Sequence, residues 1–231
     1  MNPISRILHS SLGKKYIMAI TGAALFGFVV AHLIGNLQIF LGREAINRYG
    51  HFLQSNLEIV WPARIGLLLM VGLHIWAAIQ LSAENKAARP IAYASNLPPV
   101  AASYASRTML MSGLIILAFI IYHLLHFTVQ VPSINLTGRN FVELHDDLHR
   151  HDVYGMMVLG FSNRWVSLFY LIGMALLCLH LSHGVSAMFQ SLGWKKKEYA
   201  CCLDCFARGM AIFLFAGYAS IPISILLGLV K

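Results

Sequence analysis

The sequence contains eleven histidines. Six of them stand inside long apolar runs, and four, His32, His74, His123 and His180, supply one per run. An imidazole is costly in lipid unless something inside the protein uses it. Two of these runs share a frame. Residues 21–33 read TGAALFGFVVAHL and residues 112–124 read SGLIILAFIIYHL. Each has a hydroxyl residue, then Gly, then Phe six residues later, then His-Leu four residues after that. The frame makes His32 and His123 equivalent. Two apolar helices that bury one His each at the same depth point to one group held between them. The chemistry that fits is axial ligation of a haem iron.

Depth extends the argument to the other two. With alternate spans running in opposite directions, a rise of ~1.5 Å per residue places His32 and His123 roughly 22–25 Å from the cytoplasmic surface. The same rise places His74 and His180 at roughly 14–16 Å. The four sort into an outer pair, His32 with His123, and an inner pair, His74 with His180. Two imidazoles per iron leave no open position, which suits electron transfer rather than oxygen chemistry. Facing helices of a bundle are a usual place for such ligands. His126 and His183 lie three residues beyond His123 and His180 and compete for their roles. They otherwise pack beside the haem or hydrogen-bond a propionate or a quinone. The internal repeat favours His123.

The elements that must carry these histidines are read from composition. Of the 231 residues, 58% are hydrophobic and 11% charged, and the mean hydropathy is +0.68. Soluble domains carry about 25% charged residues. The expected fold is an all-α integral membrane protein with five transmembrane helices, at about 16–41, 62–83, 108–131, 165–190 and 209–230. The first four form a dihaem four-helix bundle and the whole chain forms one membrane domain. Span 108–131 can cross a hydrocarbon core of ~30 Å. The first span follows Lys14 and Lys15. Its length, with His32 and Asn36 inside it, reads as a retained span rather than a signal peptide. Trp61-Pro62 is expected to start the second span, where Pro suits a first turn. Residues 84–107, with Asn96-Leu97-Pro98-Pro99, read as a connector on the inner surface. Pro222 is expected to kink the fifth span.

The net charge is +8. In a membrane chain, basic residues first report topology, so no nucleic-acid partner is expected. With the N-terminus in the cytoplasm, the inner segments hold Arg6, Lys14, Lys15, Lys86, Arg89, Arg107, Lys195, Lys196, Lys197 and Arg208. The outer segments hold the smaller set Arg43, Arg48, Arg64, Arg139, Arg150, Arg164 and Lys231. The balance favours a multi-pass protein of the cytoplasmic membrane with the N-terminus inside. Two other clusters have ligand-like residues. LHDDLHRHDVYG carries His145, His149, His151, Asp146, Asp147 and Asp152 and reads first as a solvated loop, with metal binding as the alternative. Cys201, Cys202 and Cys205 read as reduced thiols in the last cytoplasmic connection, since no fourth metal ligand accompanies them.

At these residues the chain resembles a known family. HSSLGKKYIMAITG with AHLIGNLQIF, SGLIILAFIIYHLLHFT, and DVYGMMVLGFSNRWVSLFY with LHLSHGVSAMFQSLGW are similar to the cytochrome b subunit of succinate:quinone oxidoreductases and fumarate reductases. The likeness is to the type B branch, a single five-helix anchor with two haems b. It implies axial ligation by His32, His74, His123 and His180, and the HxxxG frame matches His180 with Gly184. It implies a flavoprotein subunit and an iron–sulfur subunit on the cytoplasmic face, with the succinate or fumarate site on the flavoprotein and not on this chain. Electrons would pass from the iron–sulfur centres to the inner haem, the outer haem and membrane quinone. A higher oligomer of such a complex is left open.

Two positions depart from the family. Cys178 stands where some fumarate reductases of this type carry a Glu used in proton transfer. Met18 and Ala19 stand where the first helix has polar contacts to haem propionates, and Arg107, Ser106 and Lys15 are the expected substitutes. Near the outer haem, Asn36, Gln38, Arg43, Glu58 and Trp61 could bind quinone, with Glu58 handling protons. An inner quinone site near His9, Ser10 and Ser11 is the alternative. A quinone on the outer side would couple turnover to the membrane potential, at ~2.3 kcal/mol per charge per 100 mV. That suits menaquinone as the substrate. Two other readings remain: the haem b anchor of a formate dehydrogenase or hydrogenase, and a non-haem membrane transporter with functional histidines. No Asp or Glu lies inside the five expected spans, which weighs against the transporter.

Overall fold

The computed structural model describes residues 8–88 and 104–231. Helix α1 spans Ser11–Leu37 and runs into a 3-10 turn, Gln38–Leu41. A short helix α2, Arg43–Ser55, precedes α3, Leu57–Ala87. One turn, α4 (Tyr104–Arg107), leads to α5, Met109–His123, which continues as a π-helical turn over Leu124–Thr128. A 3-10 turn at Phe141–Glu143, helix α6 (Val153–Ser162), α7 (Arg164–Ser191) and α8 (Ala200–Leu226) complete the chain. Five of these, α1, α3, α5 with its π turn, α7 and α8, are long and apolar enough to cross a membrane. Their outward residues, among them Leu68, Leu69, Ile115, Ile172 and Ile212, are exposed. That is the surface a lipid-facing helix presents.

The element boundaries differ from the sequence reading at four places. Helix α3 begins at Leu57, so Pro62 lies inside it and not in its first turn. The start is set by Asn56, whose carbonyl accepts from the Ile59 and Val60 amides. Glu58 then occupies the first turn, where a carboxylate suits the helix dipole. Helix α8 begins at Ala200, which winds Cys201, Cys202 and Cys205 into its first turns as exposed free thiols. The third span leaves α geometry immediately after His123. The Val129 amide donates to the Leu124 carbonyl at 2.7 Å, the five-residue step of a π turn. The expected connector 84–107 is helical to Ala87 and again at Tyr104–Arg107. Arg6, Arg89 and Asn96-Leu97-Pro98-Pro99 lie outside the described residues.

Two compact units can be distinguished. The described residues of one fall in Met1–Phe28, Ile65–Gly113 and Leu179–Ala211, and those of the other in Val29–Arg64, Leu114–Cys178 and Ile212–Lys231. The first unit carries an ion pair between the ends of α1 and α3 and another from the α7–α8 connection to α8. Lys14 pairs with Glu84, which also accepts from the Ser11 hydroxyl. Lys195 donates to Asp204 at 2.6 Å and to the Ser186 hydroxyl at 2.8 Å. The second unit has an apolar core that includes Ile39, Ile46, Phe119, Phe161, Tyr170 and Ile221. Gly173 lets α5 approach α7 there, because any side chain at that position would overlap the Phe119 ring.

In the same second unit, the connection between α5 and α6 is tied down by buried polar groups. The fully buried Asn47 of α2 donates to Asp152 at 2.9 Å and to Asp146 at 3.2 Å, and accepts from the Tyr154 amide at 2.9 Å. Arg43 reaches Asp152 at 2.9 Å and lies over the Tyr154 ring. Arg150 bridges Glu44 and Asp146 at 2.6 and 2.7 Å. The Arg150 guanidinium holds the Asp146 carboxyl well below the usual carboxylate range and lowers that of Glu44, and the two carboxylates raise Arg150 in return. Burial lowers the pKa of His151, whose Nε2 lies 3.0 Å from the Gln130 side-chain amide. The aspartates at 146 and 152 thus serve as structural acceptors. Among the described residues, no group of three or more His, Cys, Asp or Glu is placed to hold a metal ion.

Candidate haem-ligating histidine pairs

Each compact unit brings two histidines of different apolar helices ring to ring, and these are the pairs that sequence depth puts together. In the second unit the rings of His32 on α1 and His123 on α5 have centroids 5.8 Å apart and planes at 82°. In the first unit His74 on α3 and His180 on α7 have centroids 6.5 Å apart and planes at 62°. An imidazole nitrogen binds a first-row transition metal at about 2 Å, which sets the centroids of two rings on opposite sides of one metal about 6 Å apart. The centroid distances of both pairs, 5.8 and 6.5 Å, are close to that spacing.

Hydroxyl groups orient three of the four rings. Thr21 Oγ1 lies 3.1 Å from His74 Nδ1, and Ser112 Oγ lies 3.2 Å from His180 Nδ1. Tyr170 Oη lies 3.3 Å from His123 Nδ1. A partner on Nδ1 fixes the ring and leaves Nε2 as the nitrogen for a metal. Thr21 and Ser112 are the opening residues of the internal repeat, and a glycine follows each. A Cβ on Gly22 would stand 3.3 Å from His74 Cε1, and one on Gly113 would stand 3.6 Å from His180 Cε1. One sequence frame therefore supplies the histidine of one pair and a hydroxyl that meets the other pair. The sequence reading found the repeat but used only its histidines. The signal for Thr21, Gly22, Ser112 and Gly113 lay in its first two positions.

His126 has different surroundings. Its ring is fully buried, 4.0 Å from the Phe127 centroid, with Tyr122 and Phe141 also against it. Its Nδ1 lies 3.0 Å from the Tyr170 hydroxyl and its Nε2 is buried without a hydrogen-bond partner. His183 is half-buried within the electrostatic reach of Lys195 and Asp204. Cys178 is buried in the second unit.

The residues expected around the haems and the quinone reach varied positions. Lys15 is exposed while its neighbour Lys14 is the buried lysine, 5% exposed. A doublet on a helix cannot turn both side chains inward, and the sequence did not say which one would turn. Arg107 is exposed and Ser106 half-buried at the start of the third span. Of the quinone set, Asn36 donates back to the His32 carbonyl at 2.7 Å. Gln38 is half-buried in the 3-10 turn, and the exposed Arg43 pairs with Asp152. Glu58 and Trp61 are exposed on α3, and Arg64 lies over the Trp61 ring. Near the alternative inner site, Ser10 accepts from the Gly13 amide, Ser11 donates to Glu84, and His9 is exposed. Compared with protein-family models, with curated proteins and with solved structures, the chain gave no match.

Proposed function

We propose that the chain is the dihaem cytochrome b membrane anchor of a succinate:quinone oxidoreductase or fumarate reductase. In this role it passes electrons between an iron–sulfur subunit and membrane quinone. The observation that carries the reading is the two histidine pairs, at 5.8 and 6.5 Å, each on facing apolar helices. A haem held by two imidazoles supplies reversible one-electron transfer with no open coordination position.

What this chain contributes is support. His32 with His123 would hold one haem, and His74 with His180 the other. Thr21, Ser112 and Tyr170 hold Nδ1 of three of these rings. Gly22 leaves room beside His74, where a Cβ would stand 3.3 Å from the ring. Phe119, Phe127 and Tyr170 pack around the half-buried His123 ring. The same proposal includes the flavoprotein and iron–sulfur partners, menaquinone as substrate, and a cytoplasmic membrane with the N-terminus inside. In it the succinate or fumarate chemistry belongs to the flavoprotein.

The test is purification of the tagged chain from its native membrane. Stoichiometric recovery of a flavin-containing and an iron–sulfur subunit, with succinate-dependent quinone reduction, is the expected result. Recovery of a molybdenum- or nickel-containing partner instead would move the chain to the formate dehydrogenase or hydrogenase class.

A further inference from the structure

The second unit presents two imidazoles three residues apart, the half-buried His123 and the fully buried His126, to one phenol. Tyr170 is 6% exposed, and its hydroxyl oxygen lies 3.3 Å from His123 Nδ1 and 3.0 Å from His126 Nδ1. A phenol has one proton to donate. It can therefore donate to only one of the two rings and must accept from the other.

The direction of that proton decides which ring can bind a metal. An imidazole that gives its Nε2 lone pair to iron carries its proton on Nδ1. For His123 to be the ligand, its Nδ1–H must donate to Tyr170 Oη. The Tyr170 proton then goes to His126 Nδ1, so that His126 carries its own proton on Nε2. That nitrogen is then a donor with no lone pair for a metal. It is the atom found fully buried and without a hydrogen-bond partner. Reversing the chain would protonate His123 at Nε2 and free His126 instead. Only His123 has the His32 ring at a two-ligand spacing, 5.8 Å away.

We propose that Tyr170 is the positioning residue of the His32–His123 site. By accepting from His123 and donating to His126, it makes the first the ligand and keeps the second protonated on Nε2. The inference rests on the haem reading above. The π turn from Leu124 to Thr128 begins between the two rings and so sets how His126 meets Tyr170. An axial imidazole whose Nδ1–H has an acceptor is the more basic ligand and favours ferric iron. Loss of that acceptor moves the potential of this haem in the positive direction.

The experiment is a redox titration with low-spin haem electron paramagnetic resonance on the full chain purified with its haem, in wild type, Tyr170→Phe and His126→Phe. His74→Ala, which leaves only the His32–His123 haem, identifies that signal. In Tyr170→Phe both haems are retained, the His32–His123 midpoint shifts positive and its resonance moves, and the other haem is unchanged. In His126→Phe, which removes the acceptor for the Tyr170 proton, the same midpoint shifts in the same direction by less. Two bound haems with an unmoved midpoint in Tyr170→Phe would overturn the inference. Should Tyr170→Phe lose haem through misfolding, His126→Phe decides, and an unmoved midpoint there overturns it. A wild-type chain without haem fails the proposed function itself and this inference with it.

Discussion

At the residue scale, the two histidine pairs are held by different means. Thr21 and Ser112 are small hydroxyls that also bond to carbonyls of their own helices, Thr21 to Ile17 at 2.7 Å and Ser112 to Met109 at 3.1 Å. Each is thus fixed before it meets a histidine. Replacing Thr21 by Val keeps the shape and removes the hydroxyl. Loss of such an outer-shell partner typically costs about 10–100-fold in metal affinity. Thr21→Val should therefore weaken haem retention at His74–His180 by that order and leave His32–His123 intact, as read by haem titration into the apoprotein. A change at both sites would show that the hydroxyl acts through general folding.

The four histidines were legible because a titratable group in an apolar run stands out against its neighbours, and because the repeat gave a register. Their supports were less legible. Thr21, Ser112 and Tyr170 are ordinary residues for a membrane helix, and only the three-dimensional pairing shows what each hydroxyl touches. The buried lysine could not be read either, since Lys14 and Lys15 have the same chemistry and differ only in helical phase.

At the element scale, the α5–α6 connection and α2 stand or fall together through Asn47. Asn47→Ala removes two donors to Asp146 and Asp152 and the acceptor of the Tyr154 amide. A buried polar group left unpaired costs about 1–3 kcal/mol. The variant should unfold at lower temperature in detergent, with a loss of at least that order, and unchanged stability would contradict the role given to Asn47. Acid should loosen the same region. Arg150 lowers the pKa of Glu44 and Asp146, and burial lowers that of His151. A lowered folded pKa gives stability that is present above the unfolded value and lost as pH falls toward the folded one. For the carboxylates the loss begins near the ordinary value of about 4 and extends below it, and for His151 it begins near 6.5. Hydrogen-exchange protection over residues 140–155, taken relative to the intrinsic rate at each pH, should therefore fall in acid relative to pH 7, while Arg150→Gln should already be poorly protected at pH 7. Equal protection at both pH values would count against this anchoring.

The helices themselves were read well from hydropathy, because the bilayer demands long apolar runs. Their ends were read less well. Asn56 starts α3 upstream of Pro62, and the cysteines at 201, 202 and 205 sit in the first turns of α8. Both misplacements share a cause. Hydropathy marks where a helix is apolar and not where hydrogen bonding begins.

At the scale of the whole molecule, each compact unit keeps one histidine pair with its own supports. Thr21, Ser112, His74 and His180 belong to one unit, and His32, His123, His126 and Tyr170 to the other. Loss of one site should therefore spare the other. His74→Ala and His123→Ala should each retain one haem, and loss of both haems from either variant would argue against separable sites.

The central claim is that the chain holds two haems b. A pyridine haemochrome assay on the purified protein, with the reduced-minus-oxidised spectrum, tests it most directly. Two haems b per chain is the expected result. No haem after expression with ample haem supply would contradict the claim and return these histidines to the transporter reading.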